Sequence, residues 1–352
     1  MRRLPIYFII DVSESMVGEP IEQVQSGIRN IVQDLRTDPY ALETVFISVI
    51  AFAGKAKSLM PLTELYKFYP PVIPIGGGTA LGNALDFLMT DIDKSVQKTT
   101  LESKGDWKPI VFLFTDGTPT DNPSRPFEKW NKHYRKGCNL VAVSIGDNVN
   151  TQLLGQITDN VLRLKDTDEK SFREFFKWIT ASIKTSSMSV SETAEDDVKL
   201  AHIDGINLEK VDPNDSNYID ENFAVVMGKC QTTNKPYLIK YAKRIKGLEG
   251  TFASLNLTVR DYKLVGAYPI DEVSYNELSD ESSMKLNINT SELFGSPTCP
   301  CCGNQLGFVV CGDCGNIFCV GEDPHSKCPW CGMDGYLTEG NSGGINVNRT
   351  QG

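Results

Sequence analysis

Histidine, cationic charge and long apolar runs are all scarce in this 352-residue chain. With only three histidines there is little material for imidazole acid–base chemistry. No Gly-x-x-x-x-Gly-Lys-Ser/Thr loop is present to cradle a nucleotide phosphate. Lys and Arg total 35 against 45 Asp and Glu, and a net charge of -10 repels a phosphate backbone, which argues against nucleic acid as a partner. No window reaches the roughly 18 uninterrupted apolar residues of a membrane helix. The run Leu4–Ile10 follows two arginines but stops at Asp11 with no small-residue cleavage site, so it reads as a buried strand rather than a leader. These absences predict a cytoplasmic protein that is not an enzyme and has no membrane span.

What is present divides into segments. Residues 1–185 alternate β-branched runs (Ile6–Ile10, Val45–Phe52, Ile110–Thr115, Leu140–Ile145, Val161–Leu164) with helical patterns (Ile21–Leu35, Leu81–Met89, Phe127–Tyr134). That rhythm predicts a Rossmann-like α/β domain with a parallel-dominated sheet. Phe172, Phe175, Phe176, Ile179 and Ile183 recur at helical spacing and form a core stripe. Residues 186–221 carry ten acidic residues against Lys199 and Lys210, and read as an acidic linker. Ser186, Ser187, Ser189, Ser191 and Thr193 open it as candidates for phosphorylation. Residues 222–296 read as a small β-rich region with strands at Phe223–Met227, Tyr237–Tyr241, Phe252–Val259 and Tyr262–Tyr268. A zinc-binding module over 297–335 and a flexible tail over 336–352 complete the division.

The first candidate site lies at strand ends. Asp11-Val12-Ser13-Glu14-Ser15 follows the first strand, Gly76-Gly77-Gly78-Thr79 leads into a helix, and Thr115-Asp116-Gly117 ends a later strand. Each piece alone is an ordinary cap or turn. Together, oxygen ligands from three loops at the carboxyl ends of parallel strands suit a hard cation. The constellation resembles the metal-ion-dependent adhesion site of von Willebrand factor A domains. The resemblance implies that Asp11, Ser13, Ser15, Thr79 and Asp116 hold Mg²⁺ or Mn²⁺, with the aspartates supplying charge and a partner's carboxylate completing the shell.

Cysteine is sparse until residue 299: Cys138 and Cys230 stand alone, and the other eight of ten fall between Cys299 and Cys331. Cys299/Cys302, Cys311/Cys314 and Cys328/Cys331 are Cys-x-x-Cys pairs followed by Gly, and Cys319 with His325 makes a fourth pair. Eight ligands at about four per ion predict two structural Zn²⁺ sites, with Cys301 left over. Both a cross-brace, joining Cys299/Cys302 to Cys319/His325 and Cys311/Cys314 to Cys328/Cys331, and a nested ribbon satisfy the spacing. The whole arrangement resembles the TerY-type proteins of bacterial tellurium-resistance and stress-response systems. That resemblance implies an adaptor associated with a Ser/Thr protein kinase and a PP2C-type phosphatase. The alternative is a RING-like ubiquitin ligase or a transcription-repair scaffold with a von Willebrand factor A domain.

Overall fold

The apolar run near the start of the chain is β1 (Leu4–Asp11), buried at every position. A strand covered by helices on both faces must be apolar throughout. The computed structural model describes residues 2–116, 118–145, 151–164, 169–192, 208–210, 223–246, 259–280, 286–337 and 344–350. After β1 the N-terminal domain runs α1 (Glu19–Leu35), α2 (Pro39–Thr44), β2 (Val45–Phe52), β3 (Ala56–Glu64), α3 (Leu81–Ser95), β4 (Ile110–Thr115), α4 (Ser124–His133), β5 (Asn139–Ile145), α5 (Thr151–Gly155), β6 (Val161–Leu164), α6 (Glu169–Glu192) and β7 (Leu208–Lys210). The sheet order is β3-β2-β1-β4-β5-β6-β7, parallel except at its two edges, β3 and β7. Ile6, Phe8 and Ile10 pack with Val24 and Ile28 of α1 and Phe175 and Phe176 of α6. The alternate residues Tyr7 and Ile9 pack with Leu85 and Leu88 of α3 and Trp130 of α4. Each such fully buried side chain contributes about 1.5–3 kcal/mol. The chain leaves β1 outward to β2 and returns on the other side to β4, so a crevice opens beyond the ends of β1 and β4.

Several expected boundaries shift. The helix expected to close at 185 continues to Glu192, and Ser186 and Ser187 are buried in it, donating to Ser182 O and Lys184 O. Small hydroxyls that bond back to their own helix prolong the core stripe, so these two are not part of a solvated, modifiable linker. Leu208–Lys210, also assigned to the linker, pairs antiparallel with β6. Ser189, Ser191 and the segments 193–207 and 211–222 lie outside what can be described of side chains.

The C-terminal half comprises β8 (Phe223–Lys229), β9 (Pro236–Lys246), β10 (Val259–Pro269), α7 (Glu272–Leu278), β11 (Leu286–Asn289), β12 (Leu293–Phe294), β13 (Phe308–Val310), β14 (Ile317–Cys319), β15 (His325–Lys327), β16 (Asp334–Tyr336) and β17 (Asn346–Arg349). Residues 252–258 of one expected strand lie outside the described residues. The main sheet runs β11-β17-β8-β9-β10-β12, and β14 joins it by pairing parallel with β8. The β-rich region and the cysteine module are therefore one domain, with Val226, Ile239 and Tyr241 packed beside Cys299, Ile317 and Cys319. The tail is corrected too: β17 pairs with β11 and β8, and Val347 is 2% exposed in the core. A single apolar residue among asparagines gives no periodicity from which to read a strand.

The two domains meet through Val17 packed on Val225 and Leu238, rimmed by Ile75, Phe223, Tyr268 and Tyr275, with an exposed Lys57–Glu277 ion pair alongside. Val347→Asp would bury a charge in the C-terminal core. It is expected to lower that domain's unfolding free energy by at least about 2 kcal/mol in denaturant titrations, with little effect on the N-terminal domain.

Candidate functional site

Asp11 ends β1 with no exposure, and its carboxylate accepts from Ser13 N at 2.9 Å and from the Thr115 hydroxyl at 2.6 Å. The hydroxyls of Ser13 and Ser15 lie 3.0 Å apart, and Ser15 Oγ donates to Asp116 Oδ1 at 2.8 Å. Asp11, Ser13, Ser15 and Asp116 are thus brought into one hydrogen-bonded array across the switch point. Burial, and next the Asp116 charge, push the Asp11 carboxyl up to about 7, although hydrogen bonds from Thr115 and Ser13 pull the other way. Thr79 reaches the same region from the loop before α3. Its Oγ1 is buried and has no hydrogen-bond partner among the described residues. The donor set is all oxygen, largely desolvated and negative, and contains a hydroxyl whose lone pairs nothing else uses. That chemistry fits a hard divalent cation better than a soft one.

Residues outside the expected set hold the array in place. Thr120 accepts from Thr79 N at 2.9 Å, and its own amide donates to Thr79 O, which ties the Thr79 loop to the Asp116 loop. Asp121 caps α3 from that other loop by accepting from Gly82 N and Asn83 N. Glu14, 2% exposed, accepts from Gly78 N at 3.0 Å and joins the serine turn to the glycine turn. Thr120 and Asp121 stand in the sequence phrase beside Asp116, but a capping role across two loops carries no local pattern.

In the C-terminal domain two groups of four cysteines converge. Cys230, Cys299, Cys302 and Cys319 form one, and Cys311, Cys314, Cys328 and Cys331 the other, with all sulfurs of each group within 4.8 Å of one another. The Cys302–Cys319, Cys311–Cys331 and Cys314–Cys328 sulfur separations are 3.8, 3.7 and 3.8 Å. Thiolates about 2.3 Å from a tetrahedral ion lie about 3.8 Å apart, so each group fits a closed four-sulfur metal site. Against the upward push of burial, hydrogen bonds from the Thr233 hydroxyl and then from the amides of Thr233 and Thr232 bring Cys230 down to about 7.

The von Willebrand factor type A domain family matches residues 6–178, and the TerY-C metal binding domain family matches residues 220–352. The chain belongs to the TerY-type proteins. Mouse inter alpha-trypsin inhibitor heavy chain 4 is 33% identical over 129 residues, which is 34% of this chain and 13% of that protein. Bovine inter-alpha-trypsin inhibitor heavy chain H3 is 28% identical over 162 residues, 42% of this chain and 17% of that one. The chain therefore spans only a small part of the length of these curated relatives. Among solved structures, proximal thread matrix protein 1 from the mussel byssus, with a zinc-occupied MIDAS motif, is similar at a TM-score of 0.39 and 18% identity over 51% of this chain and 48% of that one. The SpaC pilus adhesin of Lactobacillus rhamnosus GG is similar at 0.43 and 13% identity, over 53% and 31%.

The ligand set of the TerY-C domain differs from the expected one at a single position. Cys230 occupies the place expected for His325. His325 Nε2 instead lies 2.8 Å from Asp334 Oδ1 on the β15–β16 hairpin, half-exposed and edge-on to Tyr336. The reason is visible in the backbone. In each Cys-x-x-Cys-Gly turn, the glycine amide donates to the first cysteine's carbonyl, and that cysteine's amide donates to the residue after the glycine. The pattern holds for Cys299/Gly303, Cys311/Gly315 and Cys328/Gly332, whose glycines have φ of 76, 71 and 78°. Cys230 repeats it with Asn234 at φ 56° in the glycine's place and Thr233 in the second cysteine's. Asn is the residue that best tolerates this left-handed region after glycine. A Cys followed four residues on by Asn was the available clue. Cys301 belongs to neither cluster and packs beside the C-terminal core, and Cys138 is buried in the N-terminal core.

Cys230→Ser is expected to lower bound metal from about two to about one per chain in elemental analysis, whereas His325→Ala should leave it at about two. Loss of metal from the histidine variant would restore His325 as a ligand.

Proposed function

We propose that the chain is a metal-dependent protein-interaction adaptor that is not itself an enzyme. Its von Willebrand factor A domain would hold Mg²⁺ or Mn²⁺ through Ser13, Ser15, Thr79 and the carboxylates of Asp11 and Asp116. A cation bound there supplies positive charge and an exchangeable position for an Asp or Glu of a partner. Two observations support this most directly: Asp11, Ser13, Ser15 and Asp116 share one desolvated hydrogen-bonded array, and the Thr79 hydroxyl is buried and unpartnered on a loop tied to the Asp116 loop through Thr120. Asp116 and Thr118 remain partly exposed, which leaves the approach from solvent open.

We assign Zn²⁺ to the two four-cysteine clusters, where closed tetrahedral thiolate coordination leaves no position for substrate. One cluster draws Cys230 from the end of β8, so the zinc staples the sheet, a structural role rather than that of a detached ligase module. The family resemblance points to a tellurium-resistance or stress-response system, with an associated Ser/Thr protein kinase and a PP2C-type phosphatase as partners. Ten cysteines with no disulfide fit the reducing cytoplasm. No described helix is long and apolar enough to cross a membrane.

Asp116→Ala and Thr79→Val are each expected to weaken partner capture at least about tenfold and to abolish its sensitivity to EDTA, with the fold retained by circular dichroism. Undiminished capture in both would place the partner surface elsewhere. A second expectation follows from Asp11. Its folded pKa of about 7 exceeds the unfolded value of 3.8, so the folded state holds the proton more tightly. Metal-free protein should therefore lose stability as pH rises from about 4 to about 7 and then level off. Mg²⁺ should offset that loss, giving a larger melting-temperature increment at pH 8 than at pH 5.

A further inference from the structure

Two of the three loops that carry the candidate cation ligands are held by the TerY-C domain. Lys240 of β9 is 3% exposed, and its ammonium donates to the carbonyls of Ser15 and, at 3.2 Å, Val17. The Phe223 ring lies 4.3 Å from the same ammonium. A buried ammonium is tolerated only where such acceptors are in place. The conformation of the serine turn and the burial of Lys240 therefore require each other.

Tyr275 of α7 donates at 2.6 Å to Glu14 Oε1 of the same serine turn, and Glu14 Oε2 accepts from Gly78 N of the second loop. Ser279, just after α7, accepts from Gly77 N at 2.8 Å. Gly76 and Gly77 are explained by this contact, whereas Gly78 is explained by its left-handed backbone, φ 88°. A Cβ on Gly76 would stand 2.6 Å from the Leu278 Cβ, and one on Gly77 would stand 2.9 Å from both Ser279 Oγ and Tyr275 Oη. The turn that leads into Thr79 is a socket for the end of α7.

We propose that Lys240, Tyr275 and Ser279 are positioning residues of the cation site, so that divalent-cation binding and docking of the TerY-C domain form one linked equilibrium. The inference rests on the cation reading above. None of the three contributes a ligand; they fix the backbone from which Ser13, Ser15 and Thr79 project. Linkage is reciprocal, so a cation that needs the docked loop geometry tightens docking by the same factor by which docking tightens the cation. A partner carboxylate completing the cation's shell would then be felt in the zinc-bearing domain, and a ligand that displaces α7 would release the cation.

The test uses the full chain with its zinc in place and Mn²⁺ as the probe. Mn²⁺ affinity is read by electron paramagnetic resonance titration, and amide hydrogen exchange is followed over 238–241 and 272–279 with and without Mn²⁺. Tyr275→Phe and Lys240→Met should each bind Mn²⁺ roughly tenfold more weakly, at unchanged zinc content and circular dichroism. In the wild type Mn²⁺ should slow exchange in both segments, and in Asp116→Ala it should not; this arm does not depend on the interface variants folding. A wild type that takes up no Mn²⁺ overturns the cation site and the linkage together. Mn²⁺ binding at wild-type strength in both interface variants, with exchange indifferent to the metal, overturns the linkage alone.

Discussion

The Asp11 carboxylate is fully buried at the end of a strand that has helices on both sides. Placing an anion there costs several kcal/mol unless fixed donors or a cation compensate it. The amide of Ser13 and the hydroxyl of Thr115 compensate part of the charge, while Asp116 across the crevice adds to the strain. The surrounding order follows from that one constraint. The serine turn must fold back over β1, the Asp116 loop must approach from β4, and the Thr79 loop must close the third side. The parallel sheet makes this feasible because its strand order reverses between β1 and β4, which leaves both strand ends facing one opening.

The TerY-C domain meets a different constraint. Its described strands are mostly short, and β12 to β16 have three residues or fewer. Such pieces bury too little apolar surface to hold themselves in place. Cysteine turns do part of that work. Four turns of one backbone design present sulfurs to two clusters, and each needs a residue with positive φ four positions after its first cysteine. Three use glycine and one uses asparagine. Because Cys230 follows β8 and Cys319 ends β14, the first cluster stands where those two strands pair and reinforces a short parallel register. Metal binding and folding are coupled in a domain built this way.

The closest approach of the two domains combines polar and apolar contact. An ammonium, a phenol and a hydroxyl meet backbone carbonyls, a carboxylate and an amide. Val17 packs on Val225 and Leu238, and Leu278 of α7 is buried within the N-terminal core, so apolar packing and directed hydrogen bonds together fix the orientation.

Much of the molecule could be read from local order alone. Apolar runs of strand length separated by helical stripes determined the parallel α/β domain, since a doubly covered strand has no polar face to show. Asp11, Ser13 and Ser15 lie within five residues and Asp116 follows another apolar run, so their meeting beyond the strand ends was legible from the order of elements. The Cys-x-x-Cys-Gly spacing determined most of both sulfur clusters, because two ligands of one ion on a single turn leave a short-range signature. Tertiary structure decided the rest. Cys230 joins its cluster from far upstream, and His325, though correctly spaced, turns to Asp334 instead. β7 and β17 exist only because distant strands offer them hydrogen bonds. Gly76 and Gly77 look like part of a flexible turn until α7 is seen seated on them. In every such case the deciding interaction pairs residues remote in sequence, and neither periodicity nor spacing records which distant group will arrive.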